Sequence, residues 1–523
     1  MCENAHCEQA DPTNLYNSTD LFVALLGFRS LRFSTARSRG IHMTLKFTAA
    51  VFSVILGATP VAIAAPATQS EAQRLAGLFE TYVGKGSSGG PSPVTVTPRG
   101  DDYLVAINVS QILKPLEAFE VSLQAPPLSF SVTPQDGTLW RVVQSGMPEL
   151  QIRFKDQNMK LLFDGLRFEG LYDPAMMSFK SGKTTQNSST LENRTPVLLN
   201  IRRDGPSMID MTSAPAPGGG LSAVVRGVTQ DHVQTFKILQ GGSDTEIGVS
   251  TGTISSNINI DALRNVQLMA LWAFFVANPS EQALNGKLDE ILRLVRQVLP
   301  LFNSIAQNAS IQTVSITSPV GNFGMREAGV AFNMTGVHKQ GNLGARIGLN
   351  GLTLPAAILP PWSQNLVPSD IVLDIKATGY DLEAAVEEIL KVARPGVPQE
   401  ESKAAGERAV FAIAPDGKVK VSLGPSQIVS KLLTINLEGE MTIIKPIPQG
   451  RLVMKAKGLD ETIAALQAAA GSDPTVQQAL MGLVAAKGFG KAEPDGSQIW
   501  VIENPNGGIP TINGMTIPGM GGK

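Results

Sequence analysis

The sequence predicts a β-rich α+β protein, built of mostly antiparallel curved sheet with helices packed on one face, in two related lobes. Three observations predict it. Short runs alternate apolar and polar residues, as at Tyr103, Val105, Ile107 and Val109. Such strands bury one face and solvate the other, which marks antiparallel pairing. A strand–Gly–x–Asp–helix unit occurs twice, in DIVLDIKATGYDLEAAVEEIL from Asp370 and in GRLVMKAKGLDETIAALQAAA from Gly450. Between the strand-rich regions lies a stretch whose apolar residues recur at helical spacing.

The first residues do not belong to that fold. Residues 1–42 hold the two cysteines, Cys2 and Cys7, and a scatter of arginines at Arg29, Arg32, Arg37 and Arg39. From Met43, MTLKFTAAVFSVILGATPVAIAAPA has Lys46 in a short n-region and an apolar run from Phe47 to Leu56. Small residues follow at Ala62-Ile63-Ala64. This reads as an export signal over 43–64, cleaved after Ala64, against the competing reading of a buried N-terminal helix. The apolar run falls short of the ~20 residues that span a bilayer. Residues 1–42 are either a long basic n-region or an extension upstream of a start at Met43, and the second reading is favoured. The mature chain then lacks cysteine, which excludes disulfides, thiol chemistry and Cys-based zinc or iron–sulfur sites.

The elements follow in order. Ser70–Val83 reads as a helix, with Ala72, Leu75, Phe79 and Tyr82 on one side. A hairpin turns at Arg99-Gly100-Asp101, and FEVSL, LSFSV, LWRVV, LQIRF and MKLLF continue as strands. APAPGGG at 214–220 is a loop, after which strands resume. These make an N-terminal β-rich lobe over 65–260. A helical segment spans 261–310, with one helix over Asp261–Ala277 and a second over Lys287–Gln307, bent near Pro300. The pair is expected to cover an exposed apolar sheet face. A C-terminal β-rich lobe fills 311–523. In it Asp381 and Asp460 each cap a helix after Gly379 and Gly458, Asp473 caps another, and PGVPQEESKAAGE is a solvated linker. The Met/Gly-rich tail after Ile517 is loose.

Composition narrows function. Of 523 residues 43% are hydrophobic and 17% charged, and the net charge is −2. No long basic run is present, so the chain lacks the cationic face that nucleic acid or an anionic membrane surface needs. No transmembrane helix is expected in the mature chain.

GLTLPAAILPPWSQNLVPSDIVLDIKATGYDLEAAVEEIL resembles a family of exported alphaproteobacterial proteins catalogued only as a domain of unknown function. GRLVMKAKGLDETIAALQ, DPTVQQALMGLVAAKGFGKAEPDGSQIWVIE and TINGMTI carry the same resemblance. It covers most of the mature chain, weakly before Leu263. The strand–Gly–Leu–Asp–helix phrasing is also similar to AsmA-like envelope proteins, which implies a part in handling lipid or assembling the outer membrane. Neither resemblance supplies catalytic residues.

The search for chemistry returns no catalytic, cofactor-binding or metal-binding residue. His232 and His338 lack metal-ligand spacing and read as surface or edge histidines. Gly248-Val249-Ser250-Thr251-Gly252 matches G-x-S-x-G in letters, but a strand-like TISSNINI follows where a nucleophile elbow needs a helix. Ser181-Gly182-Lys183-Thr184 ends like a phosphate loop, yet Met177 stands where the first glycine belongs, so it reads as a polar turn. Asp101 and Asp102 read as a solvated hairpin tip, and Glu387-Glu388 as the outer side of a helix. Trp362, stiffened by Pro360 and Pro361, is the one contact residue singled out, against the reading of a core-anchored loop. No cofactor is expected. The sequence supports an exported, periplasmic, non-enzymatic envelope protein that binds a lipid or other apolar ligand; the alternative is a scaffold for another envelope protein.

Overall fold

The computed structural model describes residues 66–516, apart from 86–90, 115–116, 118–119, 136–137, 148, 240–244, 285, 395–396, 415–416, 445–447, 472–473 and 505–508. The expected upstream extension, export signal with Ala64, Asp473 cap and loose tail after Ile517 lie outside the described residues.

The strands join into one antiparallel sheet, and the chain weaves between two walls of it. β1 (Val94–Arg99) and β2 (Asp102–Ile107) form a hairpin at Gly100, whose φ of +65° a residue without Cβ adopts freely. β3 (Val121–Gln124) crosses to the second wall, and β4 (Leu128–Pro134) and β5 (Trp140–Ser145) return to the first. β6 (Leu150–Phe154) and β7 (Gln157–Asp164) lie in the second wall, β8 (Arg167–Asp173) and β9 (Ser178–Gln186) in the first. β10 (Ser188–Arg194) and β11 (Leu198–Asp204) are again second, β12 (Ser207–Pro215) and β13 (Leu221–Thr229) first. β14 (His232–Ile238) and β15 (Glu246–Thr251) complete the second wall, and β16 (Ile254–Leu263) the first. Both walls end on one long strand, β17 (Ser304–Ser318). β16 pairs with its first half and β15 with its second.

The many short strands are thus long strands folded once each. The fold line crosses Gly165, Asn187, Gly205, Asp231, Gly252 and the Gln312–Thr313 step. Hydrogen bonding continues across it: Asn187 N–H donates to Asp164 O at 3.0 Å, Asp231 N–H to Gly252 O at 3.0 Å, and Gly252 N–H to Gln312 O at 2.9 Å. Each strand inserts an extra residue at the line, several with positive φ (Gly165 +61°, Asp231 +50°, Thr313 +53°). Such insertions act as bulges, which bend a strand and shift its alternation by one. Hence Thr184 and Gln186 before the bend, and Ser189 and Leu191 after it, all line one cavity.

From β17 the sheet continues as a meander. β18 (Gly321–Thr335), β19 (Gly341–Asn350), β20 (Asp370–Tyr380), β21 (Lys418–Val429), β22 (Thr434–Ile444) and β23 (Pro448–Lys457) pair in turn. Beyond β24 (Lys491–Ala492), β25 (Gln498–Asn504) pairs with β23 and with β24, and β26 (Thr511–Ile512) and β27 (Met515–Thr516) close the order. The sheet is curved and unclosed.

Helices cover the inner face at its two ends. α1 (Gln69–Val83) is capped by Thr68, which accepts from Glu71 N–H at 3.3 Å. It buries Ala72, Leu75 and Phe79 against Val105, Phe130 and Val132. Each large side chain so buried contributes about 1.5–3 kcal/mol. α2 (Val109–Leu113) follows β2 with Asn108 as its cap. In the middle, α3 (Asn265–Ala277), α4 (Glu281–Leu284) and α5 (Leu288–Val298) connect β16 to β17. α6 (Leu382–Leu390) and α7 (Gln399–Ala412) connect β20 to β21. At the far end α8 (Leu459–Ala469) and α9 (Pro474–Phe489) pack Leu459, Ile463 and Leu483 against Met454, Ala456 and Trp500.

Several expectations are corrected. The first central helix begins at Asn265, because Asp261–Leu263 continue β16. The second stops at Val298 and not at Gln307: Leu299 precedes a proline and is extended, with ψ 143°, and Ser304 onward is strand. The central pair does not cover the sheet face. Leu271, Leu294, Val295 and Val298 pack with Leu390 of α6, in a cluster of helix and loop side chains without strand residues. The linker from Gln399 is helical, with Glu400 and Glu401 favourable in its first turn and Ala405 and Ala409 buried. Asp381 caps α6 as expected, accepting from Ala384 N–H at 2.8 Å. Asp460 does not cap α8. β20 runs one residue past Gly379, whereas β23 ends at Lys457, one residue before its glycine, so Gly458 (φ +88°) is the cap and Asp460 pairs with Lys487.

Candidate functional site

The bend gives the sheet an inside and an outside, and the sequence assigns them opposite chemistry. Cα partners along one row run Val142, Gly170, Gly182, Met211, Val225 and Ile258. The row continues through Gln307, Phe332, Ala345, Ile375, Leu423 and Gly439, to Leu452 and Ile502. Almost every member is apolar or glycine. The adjacent row faces the other way and alternates charge: Glu169, Lys183, Asp210 and Arg226 are successive partners, and further on Arg346 faces Asp374. Opposite charges on neighbouring strands stabilise a solvated face.

At the N-terminal end the two walls line a cavity of about 260 Å³. Phe168, Met211 and Val225 line it from the first wall, Leu161, Phe163 and Leu191 from the second. Farther along, beyond the reach of α1 and before α8, the inner face is open. Val330, Ile347 and Ile375 are 41%, 46% and 48% exposed, and Leu343, Met441 and Ile443 are exposed beside them. Large contiguous apolar exposure on a folded chain marks a surface that meets something.

Polar groups gather on the inner side of the fold line. Asp204 is buried and takes Ser189 Oγ at 3.1 Å, Arg202 Nη2 at 2.9 Å and His232 Nδ1 at 2.6 Å. Burial pushes its carboxyl up, but the His232 hydrogen bond and the Arg202 charge outweigh that and hold it below the ordinary carboxylate range. Gln186 Nε2 donates to Ser189 Oγ at 3.2 Å. Gln144 is 1% exposed and lines the cavity; its Nε2 donates to Gly146 O at 3.2 Å and its Oε1 has no partner.

Of the residues singled out in the sequence, His232 joins this cluster, Gly182 and Thr184 line the cavity, and the others fall elsewhere. His232 is buried on Asp204, and so is neither a surface nor an edge histidine. His338 sits in the β18–β19 loop, where its carbonyl accepts from Leu382 N–H at 3.1 Å. Ser250 is exposed within β15, facing Val233 and Ser315 as strand partners. Ser181–Thr184 is strand β9 and not a turn. Asp101 is exposed, and Asp102 accepts from Thr133 Oγ1 at 2.6 Å. Glu387 and Glu388 face α5 and α7, where Arg296 and Arg408 meet them. Trp362 lies half-buried on a 3-10 turn, Pro361–Ser363, that packs against α8, with its indole nitrogen buried and unpartnered. Among the described residues no cluster of three or more His, Cys, Asp or Glu is arranged to hold a metal, and no helix is long and apolar enough to cross a membrane.

Sequence reasoning missed Gln144 and the Arg202–Asp204–His232 cluster. The signal was present in part: Arg202 and Asp204 stand two apart on one strand face, where alternation puts both inside. The chain matches no family model, no curated protein and no solved structure.

Proposed function

We propose that this is an exported periplasmic protein that shields a lipid acyl chain, or another long apolar ligand, along the inner face of its bent sheet. The observation that carries the reading is the open apolar face at Val330, Ile347 and Ile375, continuous through strand pairing with the cavity. A sheet with one apolar face must cover it or meet water at a cost of about 25 cal/mol per Å². Helices cover both ends of this face and leave its middle bare, and the outer face carries paired charges such as Lys183 with Asp210 and Arg346 with Asp374. An acyl chain fits an apolar channel with few polar groups. The similarity of its strand–Gly–Leu–Asp–helix phrasing to AsmA-like envelope proteins points the same way, and the signal over 43–64 supplies the route of export.

Native mass spectrometry of the exported chain, purified without detergent, tests this. A reproducible added mass that disappears on organic extraction is expected. A clean unliganded mass, with no uptake of added phospholipid or fatty acid, contradicts the carrier reading and favours a scaffold for another envelope protein.

A further inference from the structure

Helix α7 buries its small residues and exposes its large ones. Ala405 and Ala409 are buried, whereas Val410 is 66% and Phe411 58% exposed. Burial normally claims the larger apolar side chains first. The place of this helix end in the fold is fixed. Asp381 N–H, just past β20, donates to Ile413 O at 2.8 Å, and the chain re-enters the sheet at Lys418. At that edge Tyr380 pairs with Gly341, and Lys418 with Ile444. Just inside the edge stand Leu343, Met441 and Ile443, all exposed. The bare face of the sheet and the apolar end of α7 therefore meet at one edge.

The size and charge of this corner select what can meet it. A stable protein interface takes about 20–30 residues a side, and this corner offers far fewer. Anchoring in a bilayer needs only a few apolar side chains at the headgroup boundary. The charges around it balance: Arg408 pairs with Glu388 and Arg394 with Glu401, and Lys403 and Glu407 share the exposed face of α7 with Val410. No excess of cations draws the corner to anionic lipid.

We infer that the Val410–Phe411 end of α7 docks on a zwitterionic lipid bilayer. Inserted there, it brings the rim at Leu343, Met441 and Ile443 against the bilayer, so that an acyl chain passes to the bare face without crossing water. The inference rests on the acyl-chain reading and adds to it the place of loading and release. Met481 and Val484 of α9 are also exposed, at 61% and 48%, but at the opposite edge, where β23 ends with Lys457 paired to Thr434. They supply the control.

The exported full chain should be floated on a density gradient with vesicles of dioleoylphosphatidylcholine and dioleoylphosphatidylethanolamine. The unmodified protein is expected to float, and raising the salt to about 0.5 M should change this less than about twofold. Val410→Asp with Phe411→Asp should weaken vesicle binding at least about tenfold, since two apolar side chains are replaced by charges. The same variant should bind a fluorescent acyl probe in solution within about twofold of the unmodified protein, which also shows that it is folded. Met481→Asp with Val484→Asp should float like the unmodified protein. An unmodified protein that stays off the vesicles, an α7 variant that still floats, or an α9 variant that loses as much overturns the inference. Each leaves the acyl-chain reading standing if the probe binds, and failure of the unmodified protein to bind the probe overturns that reading.

Discussion

Val330 and Ile347 are direct partners across β18 and β19, and both stand more than two-fifths exposed. They share a face with Phe130, Val142 and Phe168, which are buried where α1 covers the sheet. The same face is therefore core at one end and bare in the middle.

That contrast makes the two regions respond differently to substitution. Ile347→Asp puts a charge on the open face and should weaken acyl-probe binding at least about tenfold. It should leave the melting temperature within about 2 °C, since exposed positions seldom change stability. Phe130→Ala empties a packed site under α1 and should cost about 3–5 kcal/mol in urea unfolding.

The bend is a property of particular residues. Gly165 holds φ +61°, and a side chain there would meet Asn187 of the neighbouring strand. Gly165→Val should destabilise the protein by about 1–3 kcal/mol. A shift of the urea midpoint checks this, and an unchanged midpoint would mean that the fold line tolerates ordinary backbone.

The Asp204 cluster predicts acid sensitivity. Its folded carboxyl lies below the ordinary value, so it contributes stability above about pH 3.9, the unfolded value. That contribution is lost as pH falls through the folded value. Thermal melts from about pH 5 to about pH 3 should fall for the unmodified protein and fall less steeply for Asp204→Asn. Arg202→Met leaves a buried carboxylate without its cation and should cost about 3–5 kcal/mol near neutrality.

The two strand–Gly–x–Asp–helix units look alike in sequence and differ in mechanism. Asp381→Ala removes a real cap and should cost about 1 kcal/mol. Asp460→Ala removes only a largely exposed ion pair with Lys487 and should cost well under about 1 kcal/mol. Urea unfolding of the two variants compares them directly.

Those units show what was legible and what was not. Alternation at Tyr103, Val105 and Ile107 gave antiparallel strands, and Ala72, Leu75 and Phe79 gave α1, because period and burial agree there. The helix from Lys287 was read too long, since Ile305 happens to continue its apolar stripe while belonging to β17. The bend was invisible. Each fold-line bulge resets the alternation, so a folded strand such as β9–β10 reads as a strand, a break and another strand. The roles of His232 and Gln144 were missed because His232 meets Asp204 from another strand, 28 residues away, and Gln144 is buried by the fold, neither of which local sequence encodes.

The central claim concerns which face of the sheet meets the ligand. A photo-crosslinking residue placed at Ile347 or Ile375 on the inner face, and at Arg346 or Lys376 on the outer, tests it in cells that export the full chain. Lipid adducts at 347 and 375, with none at 346 and 376, are predicted. Equal labelling of both faces, or protein adducts alone at 347 and 375, would contradict the account.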